Sequence, residues 1–431
     1  MKWSFKGKYG IDFVFILVLI LTNTHYAYSG NVSLCVSLQD CIDDNLDYLI
    51  VVADTLKEDD ATYFNSSVDT LALHRADLLG LNVGIVSTAS LDTLDAYEIR
   101  NFIKDVYESN SAAHMGDGKL GFVLLIGDVN EDDNFERDMV PTHYYEDWQT
   151  PPSDHYFACV THQEDDYDDY PDLMIGRLSV GTIKDATTND FIELRGVVNK
   201  TIAYDSFSQT GWGENVFLIA SASPGPSCAA DREQFGNCLD TLKTIIPNTY
   251  TIDEIRGWES PWAWNADSVN AAIINKINDG TWIVDFAGHG DQTYWKYKHL
   301  GPPILSVDDT SSLNNQGKYP IMFVMACKTG WYDNTPSKPD DCVGEVFVNA
   351  EDRGAIAYLG ACRTPCSYES YFLVKSIHRS LFNDHDYFVG AMVASGKLSY
   401  LAKKDIYFSG SQHNDAHKYN LIGDPAINLG N

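Results

Sequence analysis

The chain has 431 residues, 44% of them hydrophobic and 21% charged. That is enough for a sizeable core in two or three units or in one large α/β unit, and it excludes disorder, collagen and coiled coil. With 30 Lys and Arg against 61 Asp and Glu, the formal net charge is −31, which repels nucleic acid and anionic membranes and leaves basic peptides and divalent cations as counter-charges.

Residues 1–29 read as a secretory signal peptide. Lys2, Lys6 and Lys8 precede the apolar run Phe13 to Leu21, and Ala27 or Ser29 offers a small residue for cleavage. An uncleaved signal anchor is the alternative. No later run is long enough to span a bilayer, so a secreted chain with no membrane partner after cleavage is expected. Three tripeptides, at Asn31, Asn65 and Asn199, fit N-glycosylation. The nine cysteines leave one thiol over in an exported chain. Cys35 with Cys41, Cys228 with Cys238 and Cys362 with Cys366 are the pairs nearest in sequence.

Short apolar strands then alternate with helical stretches. Strands are expected at 49–53, 82–88, 121–126, 173–175, 216–220, 281–286, 321–325 and 355–359. Helical periodicity marks 71–79, 94–106, 268–277, 342–351 and 369–402. This alternation predicts α/β architecture: mostly parallel sheet with helices on both faces. A cluster of Ser, Gln, Thr and Gly at 205–213 divides it into an N-terminal α/β subdomain, 30–210, and a C-terminal catalytic subdomain, 211–431. Segment 128–172 carries fifteen acids and one base, Arg137. It reads as a solvated loop or as a holder of structural calcium, with no EF-hand spacing to name ligands.

Two strand ends carry chemistry. Trp282 to Phe286 runs into Ala287-Gly288-His289-Gly290, and Pro320 to Met325 runs into Ala326-Cys327. Ligands of open parallel sheets bind beyond the carboxyl ends of the strands, so His289 and Cys327 are expected in one crevice. A cysteine nucleophile acts as thiolate, and an imidazole can take its proton. The Gly290 and Cys327 amides are candidate oxyanion donors. No Cys-x-x-Cys or His-x-x-x-His pair lies near them, which argues against zinc. Cys327 would then be the cysteine left unpaired.

The His-Gly and Ala-Cys strand ends resemble the caspase-like clan of cysteine peptidases, which includes caspases, legumains, separases and gingipains. The fuller resemblance is to the gingipain family, through Phe122 to Asp128, Ser153 to Tyr156 with Ile175-Gly176-Arg177, Ile219 to Ala222, and Asn420 to Pro425. It implies a caspase-like fold, with His289 as catalytic histidine, Cys327 as nucleophile and Gly290 as oxyanion donor. It also implies Asp231 at the base of a pocket for a basic P1 side chain and Tyr368 as a pocket wall. Ser223 stands where Arg-specific members place a Glu within reach of the histidine, so the group orienting His289 is missing or supplied elsewhere. The chain also stops soon after Pro425, and the segment before Leu49 is short for the family's pro-domain.

The expected function is a secreted cysteine endopeptidase acting on proteins or peptides, with a basic P1 residue implied by the resemblance and no cofactor in bond breaking. A peptide-binding pseudo-peptidase, a transpeptidase of the same clan and an acidic calcium-binding protein without chemistry remain open at this point.

Overall fold

In the computed structural model of the chain, the apolar runs form strands that water does not reach. Residues 31–35, 37–56, 66–91, 95–109, 120–130, 140–161, 169–181, 191–206, 211–298, 300–334, 341–407 and 414–430 are described. The first 30 residues, Asn65 and the acidic run 164–168 lie outside them.

The main sheet contains β1 (Val32–Leu34), β2 (Tyr48–Val52), β3 (Val83–Ser87), β4 (Phe122–Ile126), β5 (Met174–Leu178) and β6 (Asn215–Ala220). It continues with β7 (Thr251–Arg256), β8 (Ile283–Ala287), β9 (Ile321–Met325), β10 (Ala357–Ala361) and β11 (Tyr419–Ile422). Their order is β1-β3-β2-β4-β5-β11-β10-β9-β8-β6-β7. Neighbours run parallel except β10 and β11. The helices are α1 (Leu38–Asp43), α2 (Ser66–Leu79), α3 (Ala96–Ser109), α4 (His155–Ala158), α5 (Ile192–Ser206) and α6 (Ala229–Ile245). They continue with α7 (Ala266–Asp279), α8 (Val343–Asn349), α9 (Ser367–Arg379), α10 (Val389–Tyr407) and α11 (Asp415–Lys418).

Strand side chains alternate between faces, and here the alternation feeds two cores. Leu218, Ile283, Ile321 and Phe323 join one apolar cluster, while Ile219, Val284, Met322 and Val324 join the other. Both faces are therefore covered, as the continuous apolar runs require.

Three features depart from the sequence reading. The helical stretch 369–402 breaks into α9 and α10 around a π turn, Ser380–Asp384, closed by His385 in the left-handed region at φ 63°. The edge strand β7 escapes an apolar-run search because its Asp253, Glu254 and Arg256 form ion pairs along the sheet edge; such charges also protect an edge from further pairing. The cysteine pairing is corrected as well. Cys35 and Cys41 are bridged, and the other seven cysteines are free. Cys228 and Cys238 bracket the first ten residues of α6, at about 1.5 Å rise per residue too far apart to bridge. The buried Cys362 thiol donates to Pro152 O at 3.2 Å instead. Cys327 is thus one of seven free thiols, and its role rests on position rather than on being left over.

The sheet runs continuously across the 205–213 boundary: β1 to β5 come from before it, β6 to β11 from after it, and the two sets meet where β5 pairs with β11. β11, from the end of the chain, lies between β5 of the first half and β10 of the second. Just beyond it, the Asp424 carboxylate accepts from Tyr48 Oη and from Arg75 Nε, both at 2.8 Å, and all three groups are buried. Arg75 Nη1 also reaches Asp205 at 2.6 Å. Removing one partner of a buried ion pair leaves an uncompensated charge, at about 3–5 kcal/mol. Asp424→Ala should therefore lower unfolding stability by about that amount in urea titration, with a smaller loss for Asp424→Asn.

Candidate active site

Parallel pairing of β8 with β9 places Ile283 opposite Ile321 and Ala287 opposite Met325. His289 and Cys327 each lie two residues past that last pair, so they leave the sheet side by side. Contact follows at once: Gly288 N donates to Met325 O at 3.2 Å. A Cβ built on Gly290 would stand 2.6 Å from the Thr329 side chain and 3.0 Å from Cys327 O. A glycine is required there because the His-Gly segment lies on the loop that follows Cys327. Residues His289–Asp291 then pair antiparallel with Tyr294–Tyr297, which fixes the segment from its other side.

His289 is half-buried, and its Nε2 lies 3.0 Å from Asp231 Oδ2. The Phe235 ring meets the imidazole edge-on, with centroids 5.4 Å apart. Asp231 and Phe235 are four residues apart on α6 and share one helix face. The first turn of that helix is held by Arg232, which donates to Ser223 O at 2.7 Å and to Gly225 O at 3.1 Å. Lys298 Nζ lies 3.5 Å from the same Asp231 oxygen. The structure thus brings Asp231 to the histidine, a contact that sequence reasoning did not foresee. An acid in the first turn of a helix looks like an end-of-helix residue, and nothing local signals its distant partner.

Cys327 is partly exposed, yet burial pushes its thiol above the usual cysteine range; a hydrogen bond from Thr364 and the charge of Lys328 act against that rise. Lys328 adopts the left-handed region at φ 64°, donates its N–H to Arg363 O at 3.1 Å and pairs with Asp291 at 3.7 Å. A non-glycine residue in that conformation beside Cys327 stores backbone strain of about 1–3 kcal/mol. The loop after β10 is braced by Arg363, which pairs with Asp333 at 2.5 Å and lies over the Trp331 ring at 4.4 Å. Thr364 was not anticipated, since a Thr before Pro365 carries no signature. Tyr368 stands on the first turn of α9, 64% exposed.

Among the described acids of segment 128–172, Asp128, Asp147, Asp154, Asp169 and Asp172 have protein partners. Asp154 pairs with the buried Arg177, Asp169 with His417, Asp147 with Lys418, and Asp172 accepts from the Val160 and Thr161 amides. Among the described residues, no group of three or more His, Cys, Asp or Glu is arranged to hold a metal ion.

The sequence model that matches this chain, over residues 42–430, is that of peptidase family C25. Curated relatives include gingipain R2 of Porphyromonas gingivalis, 26% identical over 265 residues, which are 60% of this chain and 29% of the relative. Lys-gingipain of the same organism is 23% identical over 224 residues, 51% of this chain and 11% of the relative. The chain therefore spans less than a third of the length of these relatives. The crystal structure of the Arg-specific cysteine proteinase gingipain R superimposes with a TM-score of 0.65 at 19% identity, covering 89% of this chain and 78% of the other. The complex of pro- and mature domains of RgpB from P. gingivalis gives 0.64 at 18% identity, covering 88% and 79%. At these identities the structural likeness establishes the caspase-like α/β fold.

A raised thiol pKa has a direct consequence, because a group that resists ionisation keeps its proton to higher pH. The iodoacetamide alkylation rate of Cys327 should climb through the alkaline range, with its inflection above that of an ordinary cysteine. Lys328→Gln should move the inflection higher still. An inflection below neutral pH would show an ion pair already formed at rest.

Proposed function

The chain belongs to peptidase family C25, and from that premise we propose that it is a secreted cysteine endopeptidase in which Cys327, His289 and Asp231 act together. The observation that carries the reading is the pair of in-register strand ends, with His289 Nε2 held by Asp231 at 3.0 Å. A proton shared between Nε2 and the carboxylate makes Nδ1 the basic nitrogen of the ring, because a neutral imidazole carries one proton. Nδ1 takes the Cys327 proton as sulfur attacks the scissile carbonyl. The Gly290 and Cys327 amides receive the oxyanion. The tetrahedral intermediate then expels the amine, protonated by His289, and leaves a thioester, which water opens with the same histidine as base. No cofactor enters these steps, and calcium remains a proposal for the acidic segment.

Export belongs to the same proposal. Residues 1–29 carry the signal-peptide pattern, and no helix among the described residues is long and apolar enough to cross a membrane. Peptide or protein substrates follow from family membership. A basic P1 residue is favoured by the net charge of −31 and by the resemblance at Asp231. In this fold such a side chain would share the Asp231 carboxylate with His289 and Lys298.

A second reading, a pseudo-peptidase that binds peptides without cleaving them, is favoured by the raised Cys327 thiol. The two readings separate on labelling. Peptidyl acyloxymethyl ketones bearing Arg or Lys should modify Cys327, and Cys327→Ala should abolish both labelling and hydrolysis. His289→Ala should slow turnover by about 10²–10⁴-fold, the usual contribution of a positioned acid–base group. Asp231→Asn should slow it less and shift the pH profile, while a loss of basic-P1 preference alone would make Asp231 the pocket base. Hydrolysis that survives Cys327→Ala would sink the assignment.

A further inference from the structure

The hairpin 143–153 belongs to the first half of the chain, yet its tip is clamped to the nucleophile's surroundings. His143–Tyr144 pairs antiparallel with Pro152–Ser153. At the turn between them, Gln149 Nε2 donates to Thr364 O at 2.9 Å, and Thr364 N donates back to Gln149 Oε1 at 2.7 Å. Arg363 Nε donates to Gln149 O at 3.2 Å. Asp147 pairs with the fully buried Lys418 at 3.3 Å. Thr364 is the residue that hydrogen-bonds the Cys327 thiol. A single residue, Thr364, therefore separates the hairpin tip from the reacting sulfur.

Between the clamped Asp147 and Gln149 stands Trp148, 67% exposed. Tyr368 is 64% exposed and follows Thr364 by four residues, at the start of α9. Two large aromatic surfaces thus rise from the two segments that meet at Thr364. Their backbones are fixed, so little conformational freedom is lost when they receive a ligand, and Trp and Tyr present large, stiff contact area. Exposed apolar surface rimmed by polar groups marks a binding site.

We propose that Trp148, with Tyr368, forms a peptide-side-chain subsite beside the scissile position, and that it takes an apolar side chain of the Leu or Phe class. This rests on the reading of the crevice around Cys327 as a peptide site. Apolar contact is the chemistry both rings offer, and the cations in this crevice are already engaged: Lys328 and Arg363 lie over Trp331 at 5.3 and 4.4 Å and pair with Asp291 and Asp333. Trp148 comes from a chain segment 179 residues before Cys327 (327 − 148 = 179), so the first half of the chain would contribute directly to specificity.

The test uses the full Cys327→Ala chain and fluorescein-labelled peptides in which one Phe is walked along an Ala-Ser background. Anisotropy should find one position where Phe binds about tenfold more tightly than Ala, as expected for an aromatic ring held between two others. Trp148→Ala should bring that ratio to about one, whereas Trp148→Phe should keep most of it. In the active chain, the same substitution should raise KM for the Phe peptide and leave kcat in place. A ratio unchanged by Trp148→Ala overturns the subsite. A preference for Lys at that position, fading with added salt, overturns its apolar class. Peptide binding that obeys the pattern in a chain without turnover would keep the subsite and defeat the peptidase reading; turnover with no Trp148 effect would do the reverse.

Discussion

The parallel register between β8 and β9 fixes where the reactive groups stand. Five consecutive pairs, from Ile283 with Ile321 to Ala287 with Met325, are buried from both faces. A one-residue slip would turn every side chain of one strand to the opposite core. The histidine and the cysteine are therefore positioned by hydrophobic packing rather than by contact with each other. The loops beyond the sheet, where glycines and the strained Lys328 sit, carry both side chains past the strand ends.

The same dependence reaches the chain's far end. β11 joins the two halves of the sheet, and polar groups hold it in place. Asn420 accepts from Asp154 N at 3.0 Å and donates to Pro152 O at 3.2 Å, while Gly423 N donates to Arg177 O at 2.8 Å. A Cβ on Gly176 would lie 2.2 Å from Gly423 O, so a side chain is excluded at that crossing. Lys200 adds a second tie, donating to Ala350 O and Arg353 O, each at 2.9 Å, beyond the end of α8; burial lowers its ammonium to about 7. Nearby, Ser179 lies between Asp128 and Glu345, at 3.2 and 2.7 Å. Burial raises both carboxyl groups, Asp128 to about 7. Asp424 of the Gly-Asp-Pro block thus joins the halves, while Asp128 of the Gly-Asp block accepts from Ser179 and Val129 within the first.

Apolar runs, the α/β class and the two strand-end motifs were legible in the sequence because each is a local pattern. Eight of the main strands could be placed from their hydrophobic stretches, since strands covered on both faces carry few polar residues, such as Arg177 in β5 and Asp285 in β8. Edge strands β1 and β7, the seam strand β11 and the break at His385 were not legible, because their cause is tertiary. The cysteines show the same limit. Proximity in sequence identified the Cys35–Cys41 bridge, where six residues close a short loop. It failed at Cys228 and Cys238, where a helix carries the two sulfurs apart.

Asp231 is the sharpest case. The position at which an orienting acid was sought, just after β6, holds the buried Ser223. The carboxylate comes instead from eight residues on, across a turn into α6. Two constraints make that site workable. Arg232 fastens the first turn of the helix to the carbonyls of Ser223 and Gly225, so the acid is carried on a braced element. Lys298, just past the strand Tyr294–Tyr297, approaches the same oxygen, so one carboxylate faces both the imidazole and an ammonium group. Burial raises the Cys327 thiol, because its surroundings disfavour an isolated charge. On the proposed reading, the Cys327 proton leaves when a substrate carbonyl is present for sulfur to attack, and ionisation of the thiol is tied to occupancy of the site.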